Sequence, residues 1–439
     1  IYNNVLNKTY VPGITDWDFA IEFWNCLGGV EIFNNTITGS IDLVSSSRGT
    51  SAYSVWIHDN RIGQASLLSS ESVRGVLMEA NNSDIIIERN FISNVATGVY
   101  FAQIGPARTV ANIWVNTNIF SNIGVSDSGE GNKGWGILWT AETYKNHTVN
   151  NINICNNVMI GHSGGNSNMW GINLPHIGTA KNITIRNNII KDFNFAAVYA
   201  YTQTGDQTID VLSVENNIFY HNGNNNLPGY SGITPTNNTT RNNIPANPLF
   251  ISASDFRLQP GSPAIGKGLK INGISKDISG AAFNDPPSIG AYEYFIPPAP
   301  VYQSSLIANA APNVVELTYS LSLANITPAT SAFSVVVNSV ARSITSVSVS
   351  GTKVRLTLAT ALVAEDIITV SYTRPSANPL QTPSGGYADN ISSKPVTNNV
   401  VSIVPVYSAS VIENLTPSLL DMTYSLSLAN VIPDISAFN

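Results

Sequence analysis

The chain repeats one short pattern of apolar and polar positions. Two apolar residues lie two positions apart, an asparagine follows three positions after the second, and another apolar residue comes two positions later. The asparagine of each copy is Asn35, Asn60, Asn90, Asn118, Asn157, Asn188 or Asn217, and Asn4 is in register with a copy that starts at Ile1. Repeats of about 20 to 50 residues are typical of a solenoid, in which each repeat buries its apolar face against its neighbours.

The first two apolar residues of each copy point to one side of a strand, and the asparagine falls where that strand must turn. Asparagine is a poor strand residue, but at the same corner of every rung its amide can bond to backbone and to the asparagines of neighbouring rungs. We therefore predict an internal asparagine ladder that sets the register. We expect Asn188 to belong to it and Asn187 to contribute much less to stability.

A second family of segments alternates with the first. It reads GVLM at 75–78, GVYF at 98–101, GILW at 136–139, GINL at 171–174 and AVYA at 197–200. We interpret the small first residue as a tight bend and the rest as another short strand. Two or three short strands per rung without helical periodicity predict an all-β fold, a parallel β-helix.

Composition limits the partners. Only 11% of the 439 residues are charged, Asp plus Glu exceed Lys plus Arg by 28 to 21, and no basic run occurs, which argues against nucleic acid. No apolar run approaches the roughly 18 residues of a membrane span. The sequence starts inside a repeat, so we expect it to be part of a longer chain. Cys26 and Cys155 lie four or five rungs apart, too far for a disulfide, and both are predicted to be unpaired.

The repeat fades after residue 220, and 221–243 is rich in turn-forming residues, which predicts a long loop. The stretches 247–268, NPLFISASDFRLQPGSPAIGKG, and 288–294, SIGAYEY, resemble the closing segment of secreted bacterial right-handed parallel β-helix proteins, the pectate-lyase-like superfamily. The resemblance implies a right-handed β-helix over 1–294 whose closing segment, 247–294, contains an Asn-Pro-Leu-Phe strand and an Ile-Gly-Ala-Tyr-Glu strand. We expect that segment to cover the open edge of the last rung.

A different chemistry begins after the proline-rich stretch 295–300, which we interpret as a linker. Alternating Val, Thr and Ser residues over 301–401, with turn signals between them, predict a β-sandwich of about 100 residues. Residues 300–333 align without gaps to 405–438, so 405–439 is the start of a second, truncated copy. The TYSLSLAN, VSGTKVRLTLA and VSYTRPSANPLQ segments resemble the Ig-like modules named after the cyanobacterial swimming protein SwmB. The resemblance implies a secreted or cell-surface protein with further Ig-like repeats.

Catalytic signals are few. Polygalacturonase-type hydrolases of this superfamily use clustered aspartates, a Gly-His-Gly and an Arg-x-Lys, of which only GHSGG at 161–165 is present, so His162 is interpreted as a turn residue. A lyase would need a base and Ca²⁺ or another cation. Asp127, Glu130, Lys133 and His176 could form such a site, but a glycine-rich polar loop with scattered charges is more often simply solvated. No metal-ligand spacing stands out, and the catalytic residues stay unassigned.

Aromatic residues give a broader signal. With Val76, Val99, Ile137, Ile172 and Val198 pointing inward, the outward column is Leu77, Tyr100, Leu138, Asn173 and Tyr199, with Glu79 and Tyr201 one step further along. Outward tyrosines can stack on sugar rings or cover a neighbouring loop. The candidate carbohydrate-binding residues are Tyr100, Tyr199, Tyr201, Glu79 and His176. Trp135, Trp139 and Trp170 share the inward parity and are assigned to the core or its corners.

Three functions remain open at this point. The favoured hypothesis is an adhesin-like protein whose β-helix binds polysaccharide or another surface and is displayed on an Ig-like stalk. The alternative is a polysaccharide lyase or glycoside hydrolase, with Ca²⁺ as a possible cofactor of the lyase. A structural scaffold in a surface filament is the third.

Overall fold

The computed structural model describes residues 1–8, 19–64, 74–124, 133–141, 146–162, 168–175, 178–201, 207–223, 228–402 and 404–438. The chain divides into two compact units, Ile1–Tyr294 and Phe295–Asn439. Strands and turns dominate the described residues, whose two helices are the short 3₁₀ helices Thr330–Ala332 and Ile435–Ala437. The chain is therefore nearly all β, as the sequence predicts.

The described part of the first unit holds 23 strands. In chain order they are β1 Val5–Asn7, β2 Phe19–Trp24, β3 Val30–Phe33, β4 Thr36–Thr38, β5 Ser40–Ser46, β6 Val55–His58, β7 Arg61–Gly63, β8 Arg74–Glu88, β9 Phe91–Ser93, β10 Thr97–Gln103, β11 Thr109–Asn116, β12 Ile119–Ile123, β13 Lys133–Ala141, β14 Thr148–Cys155, β15 Val158–Gly161, β16 Asn168–Asn173, β17 Thr179–Arg186, β18 Ile189–Lys191, β19 Ala196–Tyr201, β20 Thr208–Glu215, β21 Ile218–Tyr220, β22 Gly229–Ser231 and β23 Thr239–Arg241.

These strands form parallel sheets in which each strand pairs with its equivalent in the next rung. The short strands form one sheet, in the order β1-β4-β7-β9-β12-β15-β18-β21. The longer strands form a curled sheet whose main path is β22-β19-β16-β13-β10-β8-β11-β14-β17-β20-β23. Strand β8, 15 residues long, pairs on one part of its length with β10 and on the other with β11, so it joins two sides of the coil. Three strands per rung and parallel pairing define a parallel β-helix.

The asparagine ladder is confirmed. The Nδ2 of each ladder asparagine donates to the Oδ1 of the next over 2.9–3.2 Å, from Asn4 through Asn217. The ladder continues to Asn243, inside the stretch that the sequence predicts as a loop. That loop prediction is wrong in part, since β22 and β23 also lie within 221–243 and add a further short rung.

The residue before each ladder asparagine adopts a left-handed backbone conformation. Its φ lies between +51° and +57° at Asn3, Asn34, Asp59, Arg89, Thr117, Asn156, Asn187, Asn216 and Asn242. Asparagine and aspartate tolerate this conformation better than other non-glycine residues, which explains the Asn-Asn pairs of the sequence. The first asparagine makes the turn and the second forms the ladder.

The glycines that open the second family of strands are needed for close packing between rungs. A Cβ on Gly75, Gly98, Gly136 or Gly171 would lie 2.4–2.5 Å from a carbonyl oxygen of the next rung. At Gly98 it would also lie 2.5 Å from the Phe120 ring. None of the four has a left-handed φ, so the expected tight bend is not the reason for glycine here.

The closing segment 247–294 differs from the sequence prediction. All its residues are described, yet it forms no strand and consists of turns and isolated bridges. Its apolar side chains Phe256, Leu258, Ala264, Ile289 and Ala291 pack against Ile119, Val158, Ile189 and Ile218 of four successive short strands. It therefore covers the side of the coil across four rungs, because those strands carry apolar residues on their outer as well as their inner side.

The second unit carries eight strands around one apolar core. They are β24 Tyr302–Ile307, β25 Val314–Tyr319, β26 Phe333–Val337, β27 Val340–Arg342, β28 Ile344–Ser350, β29 Lys353–Leu358, β30 Ile368–Tyr372 and β31 Ile391–Asn398. Strand β31 pairs antiparallel with β30 and parallel with β24, so it connects the two halves of a sandwich. A hairpin follows in sequence, β32 Tyr407–Val411 and β33 Asp421–Tyr424, and most of its residues are exposed.

Both cysteines are free thiols, as predicted. Cys155 is fully buried, and burial raises the pKa of its thiol to about 12. Such a thiol stays protonated and is a structural rather than a reactive residue.

Candidate ligand-binding face

The outer face of the curled sheet is the surface formed by the outward residues of β2, β5, β8, β10, β13, β16 and β19. Cross-strand register aligns Glu22 with Asp42, Asp42 with Leu77, Leu77 with Tyr100 and Tyr100 with Leu138. Ile137 pairs with Ile172 and Asn173 with Tyr199, so the column continues through β16 to β19. Its middle positions Leu77, Leu138 and Asn173 are buried. The acidic residues Glu22 and Asp42 thus lie at one end of this column, and Tyr199 lies at the other.

Four rings form an aromatic cluster at the C-terminal end of this face: Trp170, Phe195, Tyr199 and Tyr201. The ring centroids of Trp170 lie 5.1 Å from Phe195, 6.1 Å from Tyr199 and 6.0 Å from Tyr201. All four side chains are half-buried. Trp170 therefore belongs to this surface cluster, whereas Trp139 lies in the core, stacked on Phe101, and Trp135 is buried beside Trp170.

Asn173 lies next to this cluster, and its side chain has no hydrogen-bond partner among the described residues. The residue is 0% exposed, and neither Nδ2 nor Oδ1 is bonded. The indole Nε1 of Trp170 is likewise buried without a partner. Buried polar groups are nearly always paired, so these two are exceptions. Both are closed to solvent, and a ligand at this surface would contact the part-exposed rings rather than these polar atoms.

Three carboxylates form an acidic cluster at the other end: Glu22, Asp42 and Glu79. Asp42 is 1% exposed, and no described residue is a hydrogen-bond partner of its Oδ1. Glu22 is exposed and accepts a hydrogen bond from Trp24 Nε1 over 2.8 Å, and Glu79 is half-buried. Asp42 is thus the floor of the cluster, and the two glutamates are its rim.

Burial raises the pKa of Asp42 to about 7, and repulsion by Glu79 and Glu22 adds to this effect. A backbone hydrogen bond from Leu43 and the charge of Arg74 act in the opposite direction. Burial also raises the pKa of Glu79, which Arg74 partly offsets. A carboxyl that titrates near neutral pH is typical of functional sites, although buried structural acids behave in the same way.

Tyr100 lies closer to the acidic cluster than to the aromatic cluster. Its hydroxyl is 2.6 Å from Thr140 Oγ1, and the Arg74 guanidinium lies 4.8 Å from its ring centroid. One face of the ring is therefore covered by Arg74. Tyr199, three strands further along the column, has no such cation over its ring among the described residues.

The other predicted site residues are placed as follows. His176, Asp127 and Glu130 lie outside the described residues, and only the backbone of Lys133 is described, at the start of β13. His162 follows β15, and its Nδ1 lies 2.6 Å from Asn122 Oδ1. These residues are not brought together with the acidic or aromatic cluster by any described contact.

Sequence reasoning missed Glu22, Asp42 and Arg74. The outward column inferred from the glycine-led strands starts at Leu77 and stops two strands short of Glu22. A signal was present, since Asp42 stands between Ile41 and Leu43 in an otherwise apolar strand. A charged residue in such a strand marks either a buried ion or a site.

Within the described ranges, no group of three His, Cys, Asp or Glu is arranged to hold a metal ion. The same residues include no helix with the length and hydrophobicity to span a membrane.

Comparison with known proteins identifies part of the chain. Residues 297–377 match the model of the SWM repeat, a family described as a putative flagellar system-associated repeat. The chain therefore combines a parallel β-helix with a SWM-type repeat, as the sequence resemblance implies. The match points to a surface-associated, β-rich protein.

Two further comparisons add little. A search of curated proteins found no match. Among solved structures, the crystal structure of the N-terminal part of the bacterial S-layer protein SbsC is similar over 26% of each chain, with 20% sequence identity and a TM-score of 0.20. A likeness at that level carries no argument about fold or function.

Proposed function

We propose that this is a cell-surface or secreted protein whose β-helix binds polysaccharide along the outer face. The observation that carries the proposal is the aromatic cluster, in which the part-exposed rings of Trp170, Tyr199 and Tyr201 lie together. The adjacent rings of Tyr199 and Trp170 offer apolar faces for stacking.

The second unit fits the role of a spacer in this proposal. Its core is a compact apolar cluster, and its sequence repeats from residue 405 onward. Tandem modules of this kind hold a binding domain away from the surface to which they are attached. Attachment to a cell surface and an adhesin-like role follow from this reading.

Retention of the full chain on an array of neutral glucans, uronates, sulfated glycans and amino sugars tests the proposal. We expect retention of one or more of these classes. The double substitution Tyr199→Ala with Tyr201→Ala should weaken it several-fold, since each stacking contact contributes ~1 kcal/mol. Tyr407→Ala, which changes an exposed tyrosine of the second unit, is the matched control and should leave retention unchanged.

Asn173→Leu is a second control, because this residue is buried beneath the aromatic cluster. Its amide has no hydrogen-bond partner among the described residues, so the melting temperature should stay the same or rise. Retention should be unchanged, since a buried amide does not contact a bound sugar. Unchanged retention in the tyrosine double variant would contradict binding at this end of the outer face, and no retention on any glycan would favour the scaffold function.

A glycoside hydrolase is the second candidate, and the acidic cluster is the observation that favours it. Glycosidases pair a protonated carboxyl, which donates a proton to the leaving oxygen, with an ionised one. Asp42 is too deeply buried to reach a substrate, but burial also raises the pKa of the part-exposed Glu79, and the exposed Glu22 could be its ionised partner. New reducing ends released from the retained glycan would support hydrolysis, and unsaturated products absorbing in the ultraviolet would indicate a lyase.

A further inference from the structure

A row of large apolar side chains lies on another side of the coil. Trp56, Ile86 and Trp114 occupy outward positions on β6, β8 and β11, pair in register, and are all part-exposed; we call them the tryptophan row. Strand β8 carries Leu77 of the outer face in its first half and Ile86 in its second, with a left-handed φ of +61° at Ala80 between them. The tryptophan row therefore belongs to a different side of the coil from the outer face.

The ring of Trp56 is held in place by its neighbours. Its Nε1 donates to Glu88 Oε1 over 3.1 Å, and Arg89 bonds both to the same Glu88 oxygen and to Asp59. The Tyr53 ring lies 5.6 Å from the Trp56 ring, edge to face. A side chain that is fixed before a ligand arrives loses little freedom on binding, which favours affinity.

The polar rim beside the row has an excess of acceptors. Glu31, Asp59 and Glu88 supply three carboxylates, and Arg89 and His58 are the cations that pair with them. The side chains of Glu31 and Asp59 are 38% and 34% exposed, so their oxygens can accept further hydrogen bonds from hydroxyl groups. A uronate or a sulfate would instead bring a further negative charge beside three carboxylates, which opposes binding.

We infer that the tryptophan row is a second carbohydrate site, which takes a neutral glycan in an extended conformation and does not depend on the outer face. A sugar ring offers an apolar face for stacking and hydroxyl groups for the rim. Two strand spacings separate Trp56 from Trp114, ~10 Å at ~4.8 Å per strand, which is about the length of two units of an extended β-1,4-linked chain. Such a chain laid across the strands places every second ring on a tryptophan.

The length of the site follows from the same column. Glu31 precedes Trp56 in the register, and Asn153 follows Trp114. The apolar part therefore spans three strands and has polar residues at both ends. A short oligosaccharide is long enough to fill it.

Titration calorimetry with cellohexaose tests the inference in the full chain that carries Tyr199→Ala and Tyr201→Ala, so that the outer face lacks two of its stacking rings. We expect this double variant to bind cellohexaose, and the added change Trp114→Leu to weaken binding about fivefold. Trp114→Phe keeps a flat ring and should retain affinity within about twofold. Leucine leaves the position apolar but removes the ring, so the contrast reports stacking.

Charge and position supply two further measurements. Hexagalacturonate should bind the double variant at least about tenfold more weakly than cellohexaose, with a difference that shrinks at high salt. Tyr407→Ala, in the second unit, is the matched control and should not change the affinity for cellohexaose. Should Trp114→Leu not fold, oxidative labelling of the natural protein decides, because bound cellohexaose should protect Trp56 and Trp114 from oxidation.

The outcomes separate this site from the outer face. If the natural protein binds cellohexaose but the tyrosine double variant does not, the second site is overturned and binding at the outer face stands. Binding that neither Trp114→Leu nor Trp56→Leu changes, or rings that cellohexaose does not protect, also overturns it. Loss of all binding in Trp114→Leu without any loss in the tyrosine double variant would support the tryptophan row and contradict the outer face. A row that is buried in a dimer of the full chain, and that binds no cellohexaose, would belong to an interface with a second copy instead.

Discussion

Asn187 and Leu269 are 82 residues apart, yet one side chain joins their two segments twice. The Asn187 Nδ2 donates to the Leu269 carbonyl over 2.7 Å, and its Oδ1 accepts from the Leu269 N–H over 2.9 Å. The neighbouring Asn188 instead bonds to Asn217 inside the ladder. The Asn187 Nδ2 also donates to Asn156 Oδ1 of the preceding rung over 3.2 Å, so Asn187 links the closing segment to the rungs, whereas Asn188 acts within the ladder.

Replacing either asparagine should destabilise the first unit. Asn188→Ala interrupts the ladder and should cost on the order of 1–3 kcal/mol. Asn187→Ala loses both bonds to Leu269 and places at the turn a residue with little tolerance for φ +57°, so we expect a similar loss of about 2–3 kcal/mol. Thermal or urea unfolding measures both losses of stability. Because of the two bonds to Leu269, we no longer expect Asn187 to contribute much less to stability than Asn188.

Asn187→Gly separates the two contributions at this position. Glycine adopts the left-handed conformation freely, so its loss of stability reports the missing amide alone. We expect the Asn187→Gly protein to be more stable than the Asn187→Ala protein but clearly less stable than the natural protein. A variant with full stability would mean that the bonds to Leu269 contribute nothing.

The repeat architecture could be predicted from sequence because every rung places the same residue type, asparagine, at the same corner. An asparagine that bonds to its own copies must recur at a fixed position, and buried strands must alternate apolar residues around it. The closing segment offers no such recurrence. It packs on the outer side of the short strands, where Val158, Ile189 and Ile218 look like ordinary core residues in sequence.

The candidate face was predicted only in part for a related reason. Tyr199 and Tyr201 stand in recognisable strands, so their outward direction follows from the alternation. Asp42 and Glu22 come from strands without the glycine-led motif, and their proximity to Glu79 depends on the pairing of β2 with β5 and β5 with β8. Pairing across rungs of unequal length is a tertiary property, which a single sequence does not reveal.

Gly98→Ala should be strongly destabilising although alanine is a conservative change. Its Cβ would lie 2.5 Å from the Gly136 carbonyl oxygen and from the Phe120 ring, so backbone of two rungs must separate. Overpacking of this kind costs about 1–3 kcal/mol. Ala197→Gly, at the equivalent position of a later rung, is the matched control and should cost at most about 1 kcal/mol. Similar unfolding midpoints for Gly98→Ala and the natural protein would contradict the close packing.

The stability of the first unit should depend on Asp42 between about pH 4 and pH 7. The pKa of Asp42 is raised from 3.8 to about 7 on folding, so in this window the folded protein holds a proton that the unfolded chain releases. Stability should therefore fall by up to about 4 kcal/mol as pH rises through this window, since each unit of pKa difference corresponds to about 1.4 kcal/mol. Above pH 7 it should change little. Asp42→Asn cannot ionise and should be more stable than the natural protein at pH 8.

A control is needed because His58 also titrates. Burial alone would lower the pKa of His58, but hydrogen bonds to Asp59 and Glu31 raise it overall. That contribution is present below pH ~6.5 and is lost as pH rises through the higher folded pKa. Comparing melting temperatures of Asp42→Asn and His58→Gln across pH 4–9 separates the two. If Asp42→Asn retains the full decrease between pH 4 and pH 7, Asp42 is not the group that binds the proton.

A fragment that holds one SWM-type repeat should fold by itself, and its best starting point is Phe295 rather than Val301. The core of this unit is closed by its own strands β24 to β31. The Pro298 carbonyl accepts a hydrogen bond from Thr382 Oγ1 over 3.1 Å, and Pro300 is buried, so the proline-rich stretch adds contacts to the module. We expect cooperative circular-dichroism melts for both 295–402 and 301–402, with the longer fragment more stable by about 1 kcal/mol. A melt without a transition in the longer fragment would show that the module needs its neighbours, and equal stability would leave 295–300 as a linker only.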